Sequence, residues 1–163
     1  MIFTMHPTIL ALILVCFTQL TVGATEGVTV TKSWTRATAE GQRAGAIFCT
    51  ITNADNTADK LLRVESAAAT TVEVHEHITT KDGMMKMQAV EKGLEIPTKG
   101  SVELKPGGYH VMLIGLTNQL TKGSTLKASF IFEKAGTIAV EATVLDAGAM
   151  SADDVSKDKA PTK

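Results

Sequence analysis

Hydrophobic and polar residues alternate with a period of two along much of this chain. The clearest alternating segments are residues 28–31, 71–74, 101–104, 126–130 and 138–144. This period is typical of β-strands that bury one face. Turn-forming residues separate the segments, and no segment combines a helical period with capping residues. The pattern therefore predicts an all-β fold, either a sandwich or a barrel.

The two ends of the chain differ from this pattern. Residues 9–17 form an unbroken apolar run, shorter than the roughly 20 residues of a membrane-spanning helix. The run is typical of a secretory signal peptide, and residues 22–24 (Val-Gly-Ala) fit the cleavage rule. We predict cleavage after Ala24 and no membrane span in the mature protein. A buried N-terminal helix is one alternative. Lipoprotein processing at Cys16 is disfavoured, because Val15 precedes the cysteine and the apolar run continues past it.

The remaining residues are expected to form one domain and a tail. We assign residues 1–24 to the signal peptide and residues 25–150 to a single domain, without internal repeats. Residues 151–163 are charged and poor in large apolar side chains. Such a composition predicts a solvated, disordered tail.

Charge and cysteine content reduce the number of possible functions. The net charge is −1 over 163 residues, which argues against a nucleic-acid-binding protein because such proteins usually carry a basic excess. Removal of the signal peptide leaves Cys49 as the single cysteine, so we expect no internal disulfide. Residues 46–51 around it predict a core strand, in which a free cysteine is usually buried.

Histidine and methionine residues cluster in one part of the predicted mature chain. All three of its histidines, and four of its five methionines, fall between residues 75 and 112: His75, His77, Met84, Met85, Met87, His110 and Met112. Strand alternation places His75 and His77 on one face and turns Glu76 to the other. The same period places His110 and Met112 on one face of a later strand.

The turn signal Asp82-Gly83 predicts a hairpin that brings two of these groups together. A three-residue loop at residues 80–82 would pair His75 with Met87 and His77 with Met85, about 4.5–5.5 Å apart at Cβ. This pairing depends on the register of the hairpin.

Imidazoles and thioethers in one place favour a particular metal. Thioether sulfur is a soft, neutral ligand that suits Cu(I) and is poor for Zn²⁺, Mg²⁺ or Ca²⁺. A blue-copper electron-transfer centre needs a cysteine thiolate beside two histidines, and Cys49 is distant in sequence. The pattern therefore favours reversible binding of Cu(I).

These residues resemble the periplasmic copper chaperone PCuAC family. The family motif is a histidine, often followed by Met or Asn, then ten residues, a methionine, about twenty-one residues, and His-x-Met. Here the motif reads His75-Glu76, ten residues, Met87, then 22 residues and His110-Val111-Met112. The resemblance covers roughly residues 28–145. Glu76 replaces the usual Met or Asn, and the second spacing is one residue longer, which we place in the loop at residues 92–93.

The resemblance implies a fold, a ligand set and a role. Members have a cupredoxin-like β-sandwich of Greek-key topology and bind Cu(I) through two histidines and two methionines, here His75, Met87, His110 and Met112. They are implicated in delivering copper in the periplasm to the CuA centre of cytochrome c oxidase subunit II, often with Sco-type proteins. His77 is an additional candidate that would assist capture or bind Cu(II).

Two other functions are compatible with the same residues. A periplasmic copper buffer or tolerance protein would use the same ligands without a dedicated receiver. An exported β-sandwich interaction module would carry the methionines incidentally. We do not expect an enzyme, since the sequence has no nucleophile motif, paired-carboxylate signature or phosphate-binding loop.

Overall fold

The computed structural model describes residues 27–154, which form ten β-strands. The predicted signal peptide, and residues 155–163 of the predicted tail, lie outside the described residues. Within residues 27–154, no helix is long and apolar enough to cross a membrane. The strands are β1 Val28–Arg36, β2 Ala44–Asn53, β3 Asp59–Glu65, β4 Ala69–Thr79, β5 Met85–Ala89, β6 Leu94–Ile96, β7 Ser101–Leu104, β8 His110–Leu116, β9 Thr125–Phe132 and β10 Thr137–Leu145.

The strands join into one hydrogen-bonded path that folds over on itself. Its order is β5-β4-β8-β2-β1-β10-β9-β3-β6, and β7 pairs with β2 beside this path. Only the β1–β10 pair is parallel among the paired strands of the described region. Strands β3 and β4 are far apart in the order and yet contact each other. The path therefore closes into two layers, and the predicted all-β sandwich is confirmed.

Apolar side chains from all parts of the path fill the space between the layers. The fully buried members include Ile47, Ile51, Leu61, Ile96, Leu113 and Phe130. Cys49 lies in this core at 2% exposure, as the sequence predicted. Burial raises the pKa of its thiol to about 12, so the side chain is a neutral thiol at ordinary pH.

Alternation along β2 separates this core from a second, smaller cluster. Ile47, Cys49 and Ile51 point into the main core, while Phe48 points to the opposite face. There Phe48 packs against Trp34, with ring centroids 4.6 Å apart. The smaller cluster supports the face of the sheet on which the histidines lie.

Two strands were not predicted by alternation. In β3, Leu61 and Leu62 are adjacent, which breaks the period of two. A register irregularity between Leu61 and Arg63 buries Leu61 and leaves Leu62 44% exposed. Strand β6 has only three residues, too few for a recognisable pattern.

The hairpin between β4 and β5 has a register that differs from the predicted one. The backbone N–H of Thr80 donates to the carbonyl of Met84 at 2.8 Å, so the loop is residues 81–83 and not residues 80–82. His77 consequently pairs with Met87, and His75 pairs with Ala89. The predicted pairs, His75 with Met87 and His77 with Met85, are wrong.

Gly83 is the physical reason for this register. Three-residue hairpin loops end in a residue with left-handed backbone conformation, and Gly83 has a φ of +79°. Glycine adopts this conformation without the steric cost of a Cβ atom. The predicted loop would have required Asp82 at that position. Because the pairing shifts by two residues, every side chain keeps its predicted face.

The first residues of the predicted tail form an ordered turn. The carboxylate of Asp154 accepts the backbone N–H groups of Met150 and Ser151 at 2.9 and 3.1 Å. Ala152 packs against the smaller cluster around Trp34. Residues 151–154 therefore continue the folded domain beyond the predicted boundary at residue 150.

Candidate metal centre

Strands β5, β4, β8 and β2 present one continuous face on the side opposite the main core. Directly paired residues share a face of a sheet. Here His77 pairs with Met87, and His75 pairs with His110, while Met112 follows His110 by two residues on β8. We call this surface the site face, defined by His75, His77, Met87, His110 and Met112.

A pocket of about 290 Å³ opens on the site face. His77, Met87, His110 and Met112 all line it. His75 does not line the pocket, but its ring lies beside it, with the centroids of His75 and His110 5.9 Å apart. The fold thus gathers the five predicted residues, with His77 inside the pocket and His75 at its side.

His110 is the most buried histidine of the group, at 3% exposure. Its Nδ1 lies 3.0 Å from the carbonyl of Gly108. A carbonyl can only accept, so Nδ1 carries the proton and Nε2 keeps a free lone pair in the neutral ring. Burial lowers the pKa of His110; the Gly108 carbonyl raises it, and nearby His77 and His75 lower it again, with a net decrease. The ring is therefore neutral at neutral pH, as a metal ligand must be.

His75 is held in the opposite tautomer by an acidic neighbour. Its Nε2 lies 2.9 Å from Oε2 of Glu73, so Nε2 is the protonated nitrogen when the carboxylate is ionised. Nδ1 of His75 is buried and has no hydrogen-bond partner among residues 27–154. A buried polar atom without a partner costs about 1–3 kcal/mol. In the neutral ring, the lone pair at Nδ1 is therefore available as a donor to a metal.

His77 shares a hydrogen-bond acceptor with His110. Its Nδ1 lies 3.3 Å from the same carbonyl of Gly108, and the two rings have centroids 5.1 Å apart. A carbonyl oxygen has two lone pairs and accepts both N–H groups. Nε2 is therefore the free nitrogen in His77 as well.

The two thioethers differ in exposure. Met112 is half-buried, whereas Met87 is 43% exposed on the edge strand β5. Met84 and Met85 are each 64% exposed, and neither lines the pocket. Of the four clustered methionines, Met87 and Met112 line the pocket.

Aromatic rings and a cation form the wall behind His110. The ring centroid of Phe48 is 6.5 Å from that of His110, and the guanidinium carbon of Arg36 is 5.6 Å from the Phe48 centroid. Nε of Arg36 donates to the carbonyl of Ala149 at 2.7 Å. Arg36 also lines the pocket, so the segment after β10 fixes one wall of the site.

Glu76 lies on the other face of β4, as alternation predicted. It accepts a hydrogen bond from Gln88 at 2.9 Å. The pKa of Tyr109 is raised, first by burial and then by the charge and hydrogen bond of Glu76. Glu76 is therefore occupied away from the site face.

The donor set on the site face differs from that of a conventional site for hard metals. In the part of the chain that the structure describes, no group of three or more His, Cys, Asp or Glu side chains is arranged to hold a metal ion. The possible metal donors that line the pocket include two imidazoles and two thioethers, and thioether sulfur suits a soft metal. Sequence reasoning missed Glu73, Gly108, Phe48 and Arg36, because only the fold brings these residues to the histidines.

Comparison with known proteins identifies related chains. The family model described as "Putative lipoprotein LpqE-like" matches residues 28–144. "Putative lipoprotein Lxx21020" of Leifsonia xyli subsp. xyli is 32% identical over 121 residues, which are 74% of this chain and 71% of the relative.

Solved structures have the same fold. CuI-DR1885 from Deinococcus radiodurans is 30% identical and has a TM-score of 0.60, with 77% of this chain and 83% of that chain covered. The apo PmoF2 PCuAC domain is 26% identical, with a TM-score of 0.61 and coverage of 76% and 94%. The copper-bound PCuAC domain from PmoF2 is 24% identical, with a TM-score of 0.61 and coverage of 73% and 92%. The expected cupredoxin-like sandwich is thereby confirmed.

Proposed function

The chain belongs to the LpqE-like family and has a domain of the PCuAC type, and from that premise we propose that it is an exported copper chaperone. Its cargo would be Cu(I), bound on the site face by His75, Met87, His110 and Met112. The proposed domain is residues 25–150, extended by the ordered turn at residues 151–154. We infer a binding and transfer role, not catalysis.

One observation carries this proposal: the site face offers imidazole nitrogens and thioether sulfurs, and the ring N–H groups are hydrogen-bonded to other acceptors. The carboxylate of Glu73 accepts the Nε2–H of His75, and the buried Nδ1 of that ring has no partner in the described part of the chain. Gly108 binds the N–H of His110 and leaves Nε2 free. The pocket beside them contains the thioethers of Met87 and Met112. Cu(I) is the common metal that prefers such soft, uncharged ligands.

The related structures support the same cargo. The names CuI-DR1885 and copper-bound PCuAC domain state that these two relatives were solved with copper. The first is 30% identical to this chain, so its ligand supports the proposal.

Release of copper follows from the position and strength of the ligands. Met87 is on an edge strand and 43% exposed, so a partner's donor atoms reach the metal from that side. Thioethers are weak ligands that a stronger donor displaces stepwise, while the buried His110 remains in place. We propose the CuA site of cytochrome c oxidase subunit II as the receiver, with Sco-type proteins as companions. A copper buffer without a receiver is the second candidate, since its ligands would be identical.

Titration with Cu(I) against a competing Cu(I) chelator tests the binding site. Wild-type protein should bind one equivalent, and the double variant Met87→Ala/Met112→Ala should lose most of its affinity. Met84→Ala/Met85→Ala is the matched control, because it removes two methionines that do not line the pocket. Equal affinity of wild type and the Met87/Met112 variant would refute the assigned ligands.

Mixing loaded protein with a soluble subunit II domain separates a chaperone from a buffer. A chaperone should transfer its copper to the CuA site faster than the free chelated metal does. Retention of copper in the presence of the domain would favour the buffer.

Export is supported by the names of the relatives, which are described as lipoproteins. We propose periplasmic location after cleavage behind Ala24. The intact mass of the mature protein from cells checks this: a chain that begins at Thr25 is expected, and a lipid-modified chain that begins at Cys16 would contradict it.

A further inference from the structure

We infer that Arg36 binds a carboxylate of the protein that exchanges copper with this site, and thereby selects partners with an acidic side chain beside their own copper ligands. The inference rests on the proposed function, since it names the chemistry of the partner at the same pocket. Arg36 is not one of the proposed ligands, and its guanidinium acts on the partner and not on the metal.

Within residues 27–154, Arg36 contributes the one permanent charge in the lining of the pocket, and none of the lining residues is Asp or Glu. Glu73 is the carboxylate that contacts His75, and it does not line the pocket. Bound Cu(I) would therefore share this pocket with a second positive charge and with no negative one. Because like charges repel, a negative charge that approaches from outside stabilises the loaded site.

The guanidinium of Arg36 has N–H groups without an acceptor in residues 27–154. Its Nε donates to the carbonyl of Ala149 at 2.7 Å, and its Nη2 donates to the sulfur of Met150 at 3.1 Å. A guanidinium has five N–H groups, so three of them have no acceptor in the described part of the chain. No carboxylate among the described residues forms an ion pair with Arg36. A carboxylate matches the geometry of these planar N–H groups.

The side chain of Arg36 is held in position by its neighbours. Its guanidinium carbon lies 5.6 Å from the ring centroid of Phe48 and 6.0 Å from that of Trp34. At such distances a cation is attracted to an aromatic ring. Both rings belong to the smaller cluster that supports the site face. Together with the hydrogen bond to Ala149, these contacts reduce the conformational entropy that is lost when a carboxylate binds.

The position of Arg36 suits a partner that also reaches the copper. Met87 on β5 and Arg36 on β1 lie at opposite ends of the strand order β5-β4-β8-β2-β1, and both line the same pocket. A segment of the partner that crosses the pocket therefore meets the exposed thioether at one side and the guanidinium at the other. In the transfer step, a bond from copper to a sulfur of the partner forms as the bond to Met87 breaks, and the copper remains Cu(I).

Transfer of copper to matched peptides tests this inference with protein loaded with one equivalent of Cu(I). The acceptors are short peptides with a pair of cysteines, whose thiol protons pass to the buffer when copper binds. Asp stands roughly two to four residues from the pair, about 7–14 Å along an extended chain, and the control peptides carry Asn in its place. The measured quantity is the carboxylate ratio, which is the transfer rate to the Asp peptide divided by the rate to the Asn peptide.

The carboxylate ratio of wild type should exceed that of Arg36→Gln by about three- to tenfold, because a charge at the rim of an interface acts mainly on the rate of association. Arg43→Gln is the matched control: it removes an exposed positive charge that does not line the pocket, and it should keep the wild-type ratio. A general disturbance of the site would slow transfer to both peptides alike, so a changed ratio reports the contact with the carboxylate.

Ionic strength provides a second measurement that needs no variant. The wild-type carboxylate ratio should decrease from about 0.01 M to about 1 M salt, because the screening length decreases from about 30 to about 3 Å. A ratio that did not respond to salt would overturn the inference, even if Arg36→Gln did not fold.

The outcomes separate this inference from the proposed function. Equal ratios in wild type and Arg36→Gln, or an equal decrease in Arg36→Gln and Arg43→Gln, would overturn the inference and leave Cu(I) binding untouched. Failure of the wild type to load Cu(I) would contradict both.

Discussion

At the scale of single residues, hydrogen bonds select which nitrogen each histidine offers to a metal. Glu73 fixes His75 with its proton on Nε2, and the Gly108 carbonyl fixes His77 and His110 with their protons on Nδ1. Outer partners of this kind orient a ligand before the metal arrives and lower the cost of binding. The hydrogen bonds therefore fix the orientation of all three rings.

These hydrogen bonds predict the tautomer of each of the three histidines. In the metal-free protein above neutral pH, His75 should be the Nε2–H tautomer, and His77 and His110 should be Nδ1–H tautomers. Long-range ¹H–¹⁵N NMR spectra of the imidazole rings distinguish the two forms. Observation of the Nε2–H form for His110 would contradict the hydrogen bond to Gly108.

The carboxylate of Glu73 should be needed for full copper affinity. Glu73→Ala removes the acceptor at Nε2 of His75, so the ring loses its fixed orientation. The affinity for Cu(I) should fall by roughly 10- to 100-fold, the usual cost of losing such a partner. Chelator competition measures this change, and Glu76→Ala on the opposite face of β4 should leave the affinity unaltered. If both variants lost equal affinity, the effect would be general destabilisation.

At the scale of elements, the β4–β5 hairpin sets the position of Met87. The alternation of the sequence predicted both strands and the faces of their side chains, because it depends on local period alone. It did not predict the register, since this depends on which loop residue takes the left-handed conformation. The loop residue is Gly83, and the pairing of His77 with Met87 follows from it.

Substitution of Gly83 should therefore weaken copper binding from a distance. In Gly83→Ala the added Cβ meets no atom within 4 Å, so the expected cost is backbone strain of about 1–2 kcal/mol. The hairpin should fray, amide exchange in β5 should accelerate, and the affinity for Cu(I) should decrease. Gly136→Ala is a control with similar φ of +75° and no close contact, in the β9–β10 turn far along the path from β5. Equal loss of copper affinity in the two variants would contradict the role of the hairpin.

A second element, the start of β3, is tied to the β9–β10 turn by Asp59. The buried carboxylate accepts backbone N–H groups of Lys60, Lys134 and Ala135 at 2.7 to 2.9 Å. Burial by itself would raise the pKa of Asp59, but these hydrogen bonds and the Lys134 charge outweigh it, so the pKa lies below 3.8. The stabilisation is thus complete above about pH 4 and is lost as the pH falls through the lowered pKa.

Asp59→Ala should destabilise the fold by about 1–3 kcal/mol at pH 7, because it leaves buried N–H groups without an acceptor. Chemical denaturation measures the free energy of unfolding. The difference between wild type and variant should shrink as the pH falls below 4. A difference that stayed constant down to pH 2 would contradict the lowered pKa.

At the scale of the whole molecule, one face of the sheet packs in the main core and the opposite face forms the candidate metal site. The face toward the core holds Cys49, whose thiol is buried and has a pKa of about 12, so it does not compete for copper. The opposite face holds the histidines and methionines, supported by Trp34 and Phe48. The residues of the candidate metal site are thus separate from those that form the main core.

The sequence was sufficient to predict which side chains share a face of the sheet, but not which residues surround the histidines. Period-two alternation was sufficient to place His75, His77 and Met87 on one side and Glu76 on the other. The contributions of Gly108, Arg36 and Phe48 depend on strands that are distant in sequence, and no local pattern reports such contacts. His77 was visible as a candidate, but its position inside the pocket required the register of the hairpin.

The central claim is that this face binds Cu(I) through thioether sulfur and imidazole nitrogen. X-ray absorption at the copper edge of wild-type protein loaded with one equivalent of Cu(I) tests it most directly. The account predicts a Cu(I) edge with both sulfur and imidazole nitrogen in the first coordination shell, and loss of the sulfur shell in Met87→Ala/Met112→Ala. A shell of nitrogen and oxygen alone in wild type, or a sulfur shell that persists in this double variant, would contradict it.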